Sequence, residues 1–181
     1  MESRKRLKTK RIIEEAMVSL LQEESFDHIT TVQLTQKASI SRSSFYTHYR
    51  DKYDMIERYQ QGLFQKLEEI FDKYNKEPHK TITEVFELLD SEPLLAALLS
   101  ENGTKEIQFF FRNKFQQMIA NELQFRILRK ELTPTELEYS TVYLTNACFG
   151  VTQMWLQRGR KESPQMIASF LLKMFQVSNR G

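Results

Sequence analysis

The chain has 181 residues, enough for one domain or for two smaller ones that share a core. Its five glycines and four prolines are too few for a β-rich fold with many tight turns or for a disordered low-complexity chain. Hydrophobic residues make up 40% and charged residues 28%, which is the balance of a globular protein that buries a core. These counts favour an all-α fold.

Charge is balanced over the whole chain but not at its start. The 26 basic and 24 acidic residues give a net charge of +2, whereas residues 1–11 hold six lysines and arginines against Glu2 alone. A basic segment of this kind is either a solubilising tail or an arm that contacts the phosphates of a nucleic acid. The sequence leaves both interpretations open.

Several features favour a cytoplasmic protein. Cys148 is the only cysteine, so no intrachain disulfide can form. Glu14 and Glu15 interrupt the apolar stretch that follows the basic start, which is unlike a secretory signal. Residues 139–157 carry no charge, but seven of these 19 residues are Ser, Thr, Asn or Gln. We therefore expect a buried helix there and no membrane span.

The first half of the chain contains three helical patterns outside the central motif. The apolar face of the first predicted helix consists of Ile12, Ile13, Ala16, Met17, Leu20 and Leu21. A longer helix is predicted over about 51–74, because apolar residues recur there at helical spacing. A capping box of Thr81 with Glu84 predicts a short helix that ends near Ser91.

Three more helices are predicted in the second half. Apolar residues at helical spacing mark one over about 104–129. Thr133, followed by a proline, predicts the N-terminus of another over about 135–158, and a Ser-Pro pair predicts the last over about 164–177. Gly159 lies where a residue with positive φ would end the penultimate helix.

Residues 30–49 have the spacing of a helix-turn-helix. The pattern predicts a short helix capped by Thr31, a turn at 39–40 and a second short helix capped by Ser41. The side chains that would then point inward are Leu34, Ala38, Phe45 and Tyr49. The second helix keeps an outer face that is rich in hydrogen-bond donors and free of acidic groups. Such a face suits the major groove of DNA.

We predict that nine residues contact DNA: Thr31, Ser41, Arg42, Ser43, Ser44, Tyr46, Thr47, His48 and Lys52. Arg42 lies in the first turn of the second short helix, where a guanidinium group can pair bidentately with guanine. It is the expected base reader, with Ser43 and Ser44 as shorter partners. The polar groups at positions 31, 46, 48 and 52 are expected to hold phosphates.

These motifs make the sequence resemble the TetR family of transcriptional regulators. The resemblance covers residues 8–58 and depends on Thr31-Val32, on the run SRSSFYTHY and on Asp51-Lys52 after it. Further on, the uncharged helix that ends in Trp155-Leu156 and the Gly-to-Ser-Pro turn after it look like the dimerising helix pair of the family. Ser39 stands where the family often has glycine.

The resemblance implies an all-α homodimer that binds a DNA operator. Each subunit would have a helix-turn-helix DNA-binding domain at residues 1–50 and a helical effector-binding and dimerisation domain at 51–181. A two-fold dimer requires a palindromic operator. An effector in the second domain would change the separation of the two recognition helices through the linking helix at 52–74. The expected direction of regulation is repression.

Two sets of residues in the second domain follow from these expectations. A pocket for an apolar or aromatic small molecule would be lined by Leu63, Phe86, Leu89, Phe110, Phe111, Met118, Tyr143 and Trp155, although core packing would account for the same side chains. The dimer interface would include Gly150, Met154, Gln157, Ile167, Leu171 and Met174. The alternative effector is a partner protein, which would make the chain a helical interaction module or co-regulator.

We expect no cofactor, no metal and no enzymatic activity. The three histidines lie too far apart in sequence to form a recognisable metal motif. The sequence also lacks a Ser-His-Asp order and a glycine-rich phosphate loop.

Overall fold

The computed structural model describes residues 4–74, 77–128 and 131–177, and in these ranges the regular structure is entirely helical. The helices are α1 (Arg4–Leu21), α2 (Thr31–Lys37), α3 (Arg42–Tyr46), α4 (Lys52–Lys73), α5 (Pro78–Ser91), α6 (Pro93–Leu99), α7 (Lys105–Leu128), α8 (Pro134–Gln157) and α9 (Pro164–Val177). The predicted all-α fold is confirmed. No helix in the described ranges is both long and apolar enough to cross a bilayer.

Helices α1, α2 and α3 form a small head around one apolar core. The inward side chains predicted for the helix-turn-helix are all buried, and they pack with Ile13 and Met17 of α1. The turn between α2 and α3 contains Ser39, whose φ is +53°. Positive φ is uncommon for a residue that has a Cβ, and it is the conformation that glycine adopts without that cost. Ser39 therefore makes the turn that the helix-turn-helix spacing requires.

Two boundaries in the head differ from the prediction. Helix α1 begins at Arg4, so the basic segment is helical from that residue onward. The N-cap of α2 is Thr30 and not Thr31. Thr30 Oγ1 accepts from the Gln33 N–H at 3.2 Å, and Gln33 Oε1 accepts from the Thr30 N–H at 2.8 Å. This reciprocal capping box starts the helix one residue after Thr30.

Helices α5 and α6 also depart from expectation. Helix α5 begins at Pro78, and Thr81 lies inside it, where its Oγ1 donates to the Tyr74 carbonyl at 2.9 Å. Because this hydroxyl is a donor within the helix, it does not cap an N-terminus, and the predicted cap at this position is wrong. Helix α6 was not predicted because its sequence PLLAALL is too short and too uniformly apolar to show a helical period.

The remaining helices form a body in which α7 and α8 pack as a pair. Arg112 of α7 joins them, because its Nη1 donates to Asn146 Oδ1 at 2.7 Å and its guanidinium lies 4.5 Å from the centre of the Phe149 ring. Gly159 has φ +76° and ends the penultimate helix as predicted. Trp155 Nε1 donates across the following turn to the Glu162 carbonyl at 2.9 Å, which orients α9 relative to α8.

Helix α4 connects the head to the body. Asp51 caps its N-terminus by accepting from the Asp54 N–H at 2.8 Å. Further along, Gln60 Nε2 donates to Thr104 Oγ1 at 3.2 Å, in the turn between α6 and α7. The same helix therefore begins beside the recognition helix and crosses the surface of the body.

Candidate nucleic-acid interface

The recognition helix α3 is held in place by two aromatic side chains. Ser41 caps the helix, with its Oγ accepting from the Ser44 N–H at 3.0 Å. Phe45 is fully buried and Tyr49 nearly so, with ring centroids 5.7 Å apart. This buried side fixes which face of a five-residue helix points outward.

The opposite face of α3 is polar and open. Arg42, Ser43, Tyr46 and Thr47 are exposed, and Ser44 is half-buried. Tyr46 is 56% exposed, while its ring edge contacts Phe45 at 5.7 Å. Within the described part of the chain, no hydrogen bond or ion pair engages the Arg42 side chain. A guanidinium in the first turn of a helix is thus available to reach the edge of a base.

His48 does not lie on this outer face, which corrects its predicted placement. Only 8% of the residue is exposed, and its ring lies 6.2 Å from that of Tyr49. Its carbonyl accepts from Arg58 Nη1 of α4 at 3.4 Å. The physical reason is that α3 ends at Tyr46, so the backbone turns before His48 and no longer follows the helical face.

Lys52 is likewise not a free surface cation. Its Nζ donates to the carbonyls of Phe26 at 2.6 Å and Asp27 at 2.9 Å, and it lies 4.7 Å from the centre of the Phe26 ring. Burial lowers the pKa of its ammonium group. The structure therefore assigns Lys52 to the contact between α4 and the loop after α1, in place of the predicted phosphate contact.

The start of α4 is also tied to the residue that precedes it. Asp54 accepts from the backbone N–H of Arg50 at 2.9 Å and from Arg58 Nε at 3.0 Å. The Arg50 N–H and then the Arg58 side chain hold the pKa of this carboxyl group below its usual value. Together these bonds fix the direction in which α4 leaves the recognition helix.

Helix α2 packs against α3, and two of its side chains hold it to the loop after α1. Gln33 Nε2 donates to Glu24 Oε1 at 2.6 Å, and Lys37 Nζ lies 3.0 Å from Glu23 Oε1. Thr31 occupies the first position of this helix and is half-buried. The prediction named Thr31 as the cap, whereas the readable capping-box signal was the pair Thr30 and Gln33, three residues apart.

Of the eight residues predicted to line an effector pocket, five are buried in the core, two lie at its edge and one is exposed. The buried members are Leu63, Phe86, Leu89, Phe111 and Trp155. Phe86 and Trp155 contact edge-to-face at 5.1 Å, as packed core residues do. Tyr143 is 67% exposed on α8, so its predicted place in the same pocket is wrong. Its neighbour on the helix, Leu144, takes the inward position.

The other two members lie at the edge of the core. Phe110 is half-buried and stacks on Phe64 of α4 at 4.3 Å. Met118 borders a shallow cleft of about 220 Å³ near Phe71. Core packing therefore accounts for most of the predicted set.

The six residues predicted for the dimer interface also differ in their exposure. Leu171 is 3% exposed and packs within its own subunit, so it does not lie on a face open to a second copy, whereas Ile167 is half-buried. Gly150, Met154, Gln157 and Met174 are exposed. Leu171 turns inward because it is one residue beyond the exposed Phe170, about 100° around the helix.

Large exposed side chains define what we call the apolar face of α8 and α9. Its members are Tyr139, Val142, Tyr143, Met154, Met166, Phe170 and Met174. A Cβ added to Gly150 would meet no atom within 4 Å, so nothing inside the subunit requires a glycine there. Met166 and Phe170 were not predicted, although Met166, Phe170 and Met174 follow one another at intervals of four residues, which is the spacing of a stripe along a helix.

The known proteins that this chain is similar to are transcriptional regulators. A TetR family model described as "Transcriptional regulator C-terminal region" matches residues 76–177. A curated relative from Bacillus subtilis (strain 168), the uncharacterized HTH-type transcriptional regulator YxbF, is 24% identical over an alignment of 164 residues that covers 86% of this chain. The chain spans only 42% of the length of that relative.

Solved structures show the same fold at low sequence identity. A TetR transcriptional regulator from Streptococcus agalactiae 2603V has a TM-score of 0.60 and 22% identity, with 94% of this chain and 95% of the other covered. FadR, a fatty acid degradation regulator from Bacillus halodurans, has a TM-score of 0.61 and 11% identity, with 96% and 95% covered. NalD, from Pseudomonas aeruginosa, has a TM-score of 0.57 and 18% identity, with 94% and 96% covered.

The family match covers more than half of the chain, and the helix-turn-helix precedes it in sequence. Members of this family are regulators and not enzymes, as the sequence predicted. No group of acidic, histidine or cysteine side chains in the described ranges is arranged to hold a metal ion. The chain belongs to the TetR family of transcriptional regulators.

Proposed function

We propose that this regulator binds a palindromic operator as a homodimer and represses transcription in response to an effector. The observation that carries the proposal is the outer face of α3. Arg42, Ser43, Tyr46 and Thr47 are exposed there above the buried Phe45. A polar helix face with a cation in its first turn and no carboxylate fits the major groove of duplex DNA.

The proposed roles follow the positions of the side chains. Arg42 reads a base edge, and Ser43 with Tyr46 and Thr47 lies along the groove wall. Thr31, Ser41 and Ser44 lie at helix N-termini, where hydroxyl and N–H groups hold phosphates. His48 and Lys52 support α3 from behind and are no longer proposed as DNA contacts. We place the DNA-binding domain at residues 1–50 and the regulatory domain at 51–181.

The apolar face of α8 and α9 supports the homodimer. Met166 is 62% exposed and Tyr143 67%, and large apolar side chains exposed to this degree mark an interaction site. A second copy of the same face would cover it in a two-fold arrangement. Gly150 would allow close approach of the two copies of α8. Two-fold symmetry then places the two recognition helices on an inverted repeat.

Repression and an effector complete the proposal. NalD, which has the same fold, is described as the secondary repressor of a multidrug efflux pump. For this chain we propose repression by occupation of a promoter. The effector is proposed to be a small apolar or aromatic molecule bound at the edge of the core of the body, where Phe110 is half-buried and Met118 borders a cleft of about 220 Å³. A partner protein bound to the body is the second candidate.

The test is selection of bound duplexes from a random library by the purified chain. The expected result is an inverted repeat with half-sites about one helical turn apart, or a multiple of it. The logarithm of the affinity should fall linearly with the logarithm of salt concentration, because phosphate contacts release counterions. Recovery of no preferred sequence, or of a single half-site by a monomer, would contradict the proposal.

A further inference from the structure

The turn between α6 and α7, residues 100–104, contacts the head directly. Asn102 makes two hydrogen bonds there. Its backbone carbonyl accepts from the Phe26 N–H at 2.8 Å, and its Nδ2 donates to the Leu21 carbonyl at 2.9 Å. Leu21 is the last residue of α1, and Phe26 lies in the loop that leads to α2. One residue of the body therefore holds both the end of α1 and the loop after it.

The backbone of Phe26 continues this connection toward the recognition helix. Its N–H is held by Asn102, and its carbonyl accepts from Lys52 Nζ at 2.6 Å. Lys52 is the first residue of α4 and follows Tyr49, whose buried ring anchors α3, by three positions. The sequence of contacts Asn102, Phe26, Lys52 thus joins the body to the base of α3 by a route other than the covalent course of α4.

The turn that carries Asn102 has a fixed shape. A Cβ on Gly103 would lie 1.8 Å from the Leu98 carbonyl oxygen, so no other residue fits without a shift of the backbone. Gln108 Nε2 donates to the Ser100 carbonyl at 2.7 Å, and the Thr104 N–H donates to the Leu98 carbonyl at 3.0 Å. A turn held in this way moves as one piece with α6 and α7.

Apolar packing alone would not fix the relative position of head and body. Helix α1 packs on α6 through apolar side chains, and such contacts are non-directional. Clefts of about 440 Å³ and 460 Å³ border the turn on its two sides, and Glu101 lines both of them. Hydrogen bonds require a defined geometry, so the bonds of Asn102 set the register between the head and the body.

We propose that Asn102 is a positioning residue for operator recognition. Its side chain holds the last residue of α1 and its backbone carbonyl holds Phe26, so it fixes the orientation of the head on the body. Asn102→Ala removes the first of these bonds, from Nδ2 to the Leu21 carbonyl, and leaves the second. In the dimer, this orientation sets the distance between the two recognition helices. This inference rests on the proposed function, because the spacing matters only for a dimer on a two-part site.

The experiment measures selectivity for half-site spacing. The operator is the inverted repeat selected by the unaltered chain, and duplexes with the half-sites moved one or two base pairs closer or further apart are compared with it. Asn102→Ala should lower the ratio of affinities between the best and the altered spacings by about three- to tenfold, the effect expected from the loss of one net hydrogen bond. Affinity for the altered spacings should fall least.

Gln165→Ala is the matched control. It also removes a hydrogen bond donated by a side-chain amide, at 2.7 Å to Glu87 Oε1, but this bond joins α9 to α5 within the body and does not involve the turn that carries Asn102. It should leave the spacing ratio unchanged. Lys52→Met breaks the bond of Lys52 to the Phe26 carbonyl and should also lower the ratio. Asn102→Asp, which keeps the shape and removes the donor, replaces Asn102→Ala if that variant does not fold.

Each result either supports or contradicts the role assigned to Asn102. An unchanged spacing ratio in Asn102→Ala or Asn102→Asp overturns the assignment, as does an equal loss of the ratio in Gln165→Ala. A lowered ratio in the Asn102 and Lys52 variants with the control unchanged supports it. If the unaltered chain selects no duplex, the proposed function itself fails, and that result is distinct from a failure of Asn102 alone.

Discussion

The outer face of α3 and the apolar face of α8 and α9 are both open to water, yet they expose opposite chemistry. The α3 face carries Arg42, Ser43 and Thr47, which water solvates well. The second face carries Met166 and Phe170, which water solvates poorly. Exposed apolar groups are costly and predict a partner by themselves, whereas exposed polar groups predict one only in the context of a helix-turn-helix.

The largest effect is expected from breaking the apolar face. Phe170→Glu places a charge where a second copy of the face would bury it, so the dimer should dissociate. Operator affinity should then fall about 100-fold or more, because two linked half-site contacts become one. Light scattering gives the mass and a binding assay the affinity. Ser169→Glu, on an exposed position of the same helix beside the stripe, is the control that should remain dimeric.

The next effect concerns the α3 face. Arg42→Ala should lose about 1–3 kcal/mol of binding free energy and relax the preference at one base pair in each half-site. Binding to sequence variants of the selected operator measures both. Arg158→Ala removes the same charge from an exposed site in the body and should change neither. Base preference retained in Arg42→Ala would assign the reading of that base to another residue.

Two glycines distinguish the effect of a substitution on a single subunit from its effect on the dimer, because both have the same open surroundings within the subunit. Gly62 in α4 and Gly150 in α8 both have open space where a Cβ would lie. In a helix interior, alanine is favoured over glycine by about 1 kcal/mol, so both substitutions should raise the melting temperature of a subunit. Gly150→Ala should nevertheless weaken the dimer, because it adds a Cβ at the proposed contact. Equal dimer affinity in the two variants would place Gly150 outside the interface.

The smallest effect is electrostatic and lies between the head and the body. Burial, and then the nearby Glu92, raises the pKa of Glu14 above its ordinary 4.5. As pH rises above 4.5 the unfolded state releases this proton first, so the stability of the folded state falls until pH exceeds the raised folded-state pKa. Glu14→Gln should remove this loss.

Thermal unfolding across pH measures the change. At pH 7 the Glu14→Gln variant should melt about 1–2 °C higher than the unaltered chain, and the difference should shrink toward pH 4.5. The control is Glu69→Gln, at an exposed position of α4 that is not among the charges acting on Glu14, so it should change stability little at any pH. A difference that is independent of pH would contradict the assigned cause.

Local signals in the sequence were sufficient for most of the secondary structure. Ser41, Asp51 and Thr133 cap helices as residues with short polar side chains do, and a proline or glycine marks several of the ends. Periodicity also identified which residues of the helix-turn-helix face inward. These features depend on neighbours three or four residues apart, which the sequence shows directly.

The contacts of a side chain with residues beyond its own helical turn could be identified only from the tertiary structure. Lys52 was predicted as a surface cation, but carbonyls of Phe26 and Asp27, some 25 residues earlier in sequence, are its partners. Helix α6 showed no period because all its sides are apolar.

The sequence was sufficient to establish the all-α fold, the place of the helix-turn-helix and the aromatic residues that anchor the recognition helix, because these follow from contacts within a few residues. The tertiary structure was needed to show that Tyr143 faces outward, that Leu171 packs inward and that Asn102 reaches the end of α1. Such contacts join residues that are far apart in sequence. Helical periodicity states that a helix has an apolar side, but it does not state which neighbour covers that side.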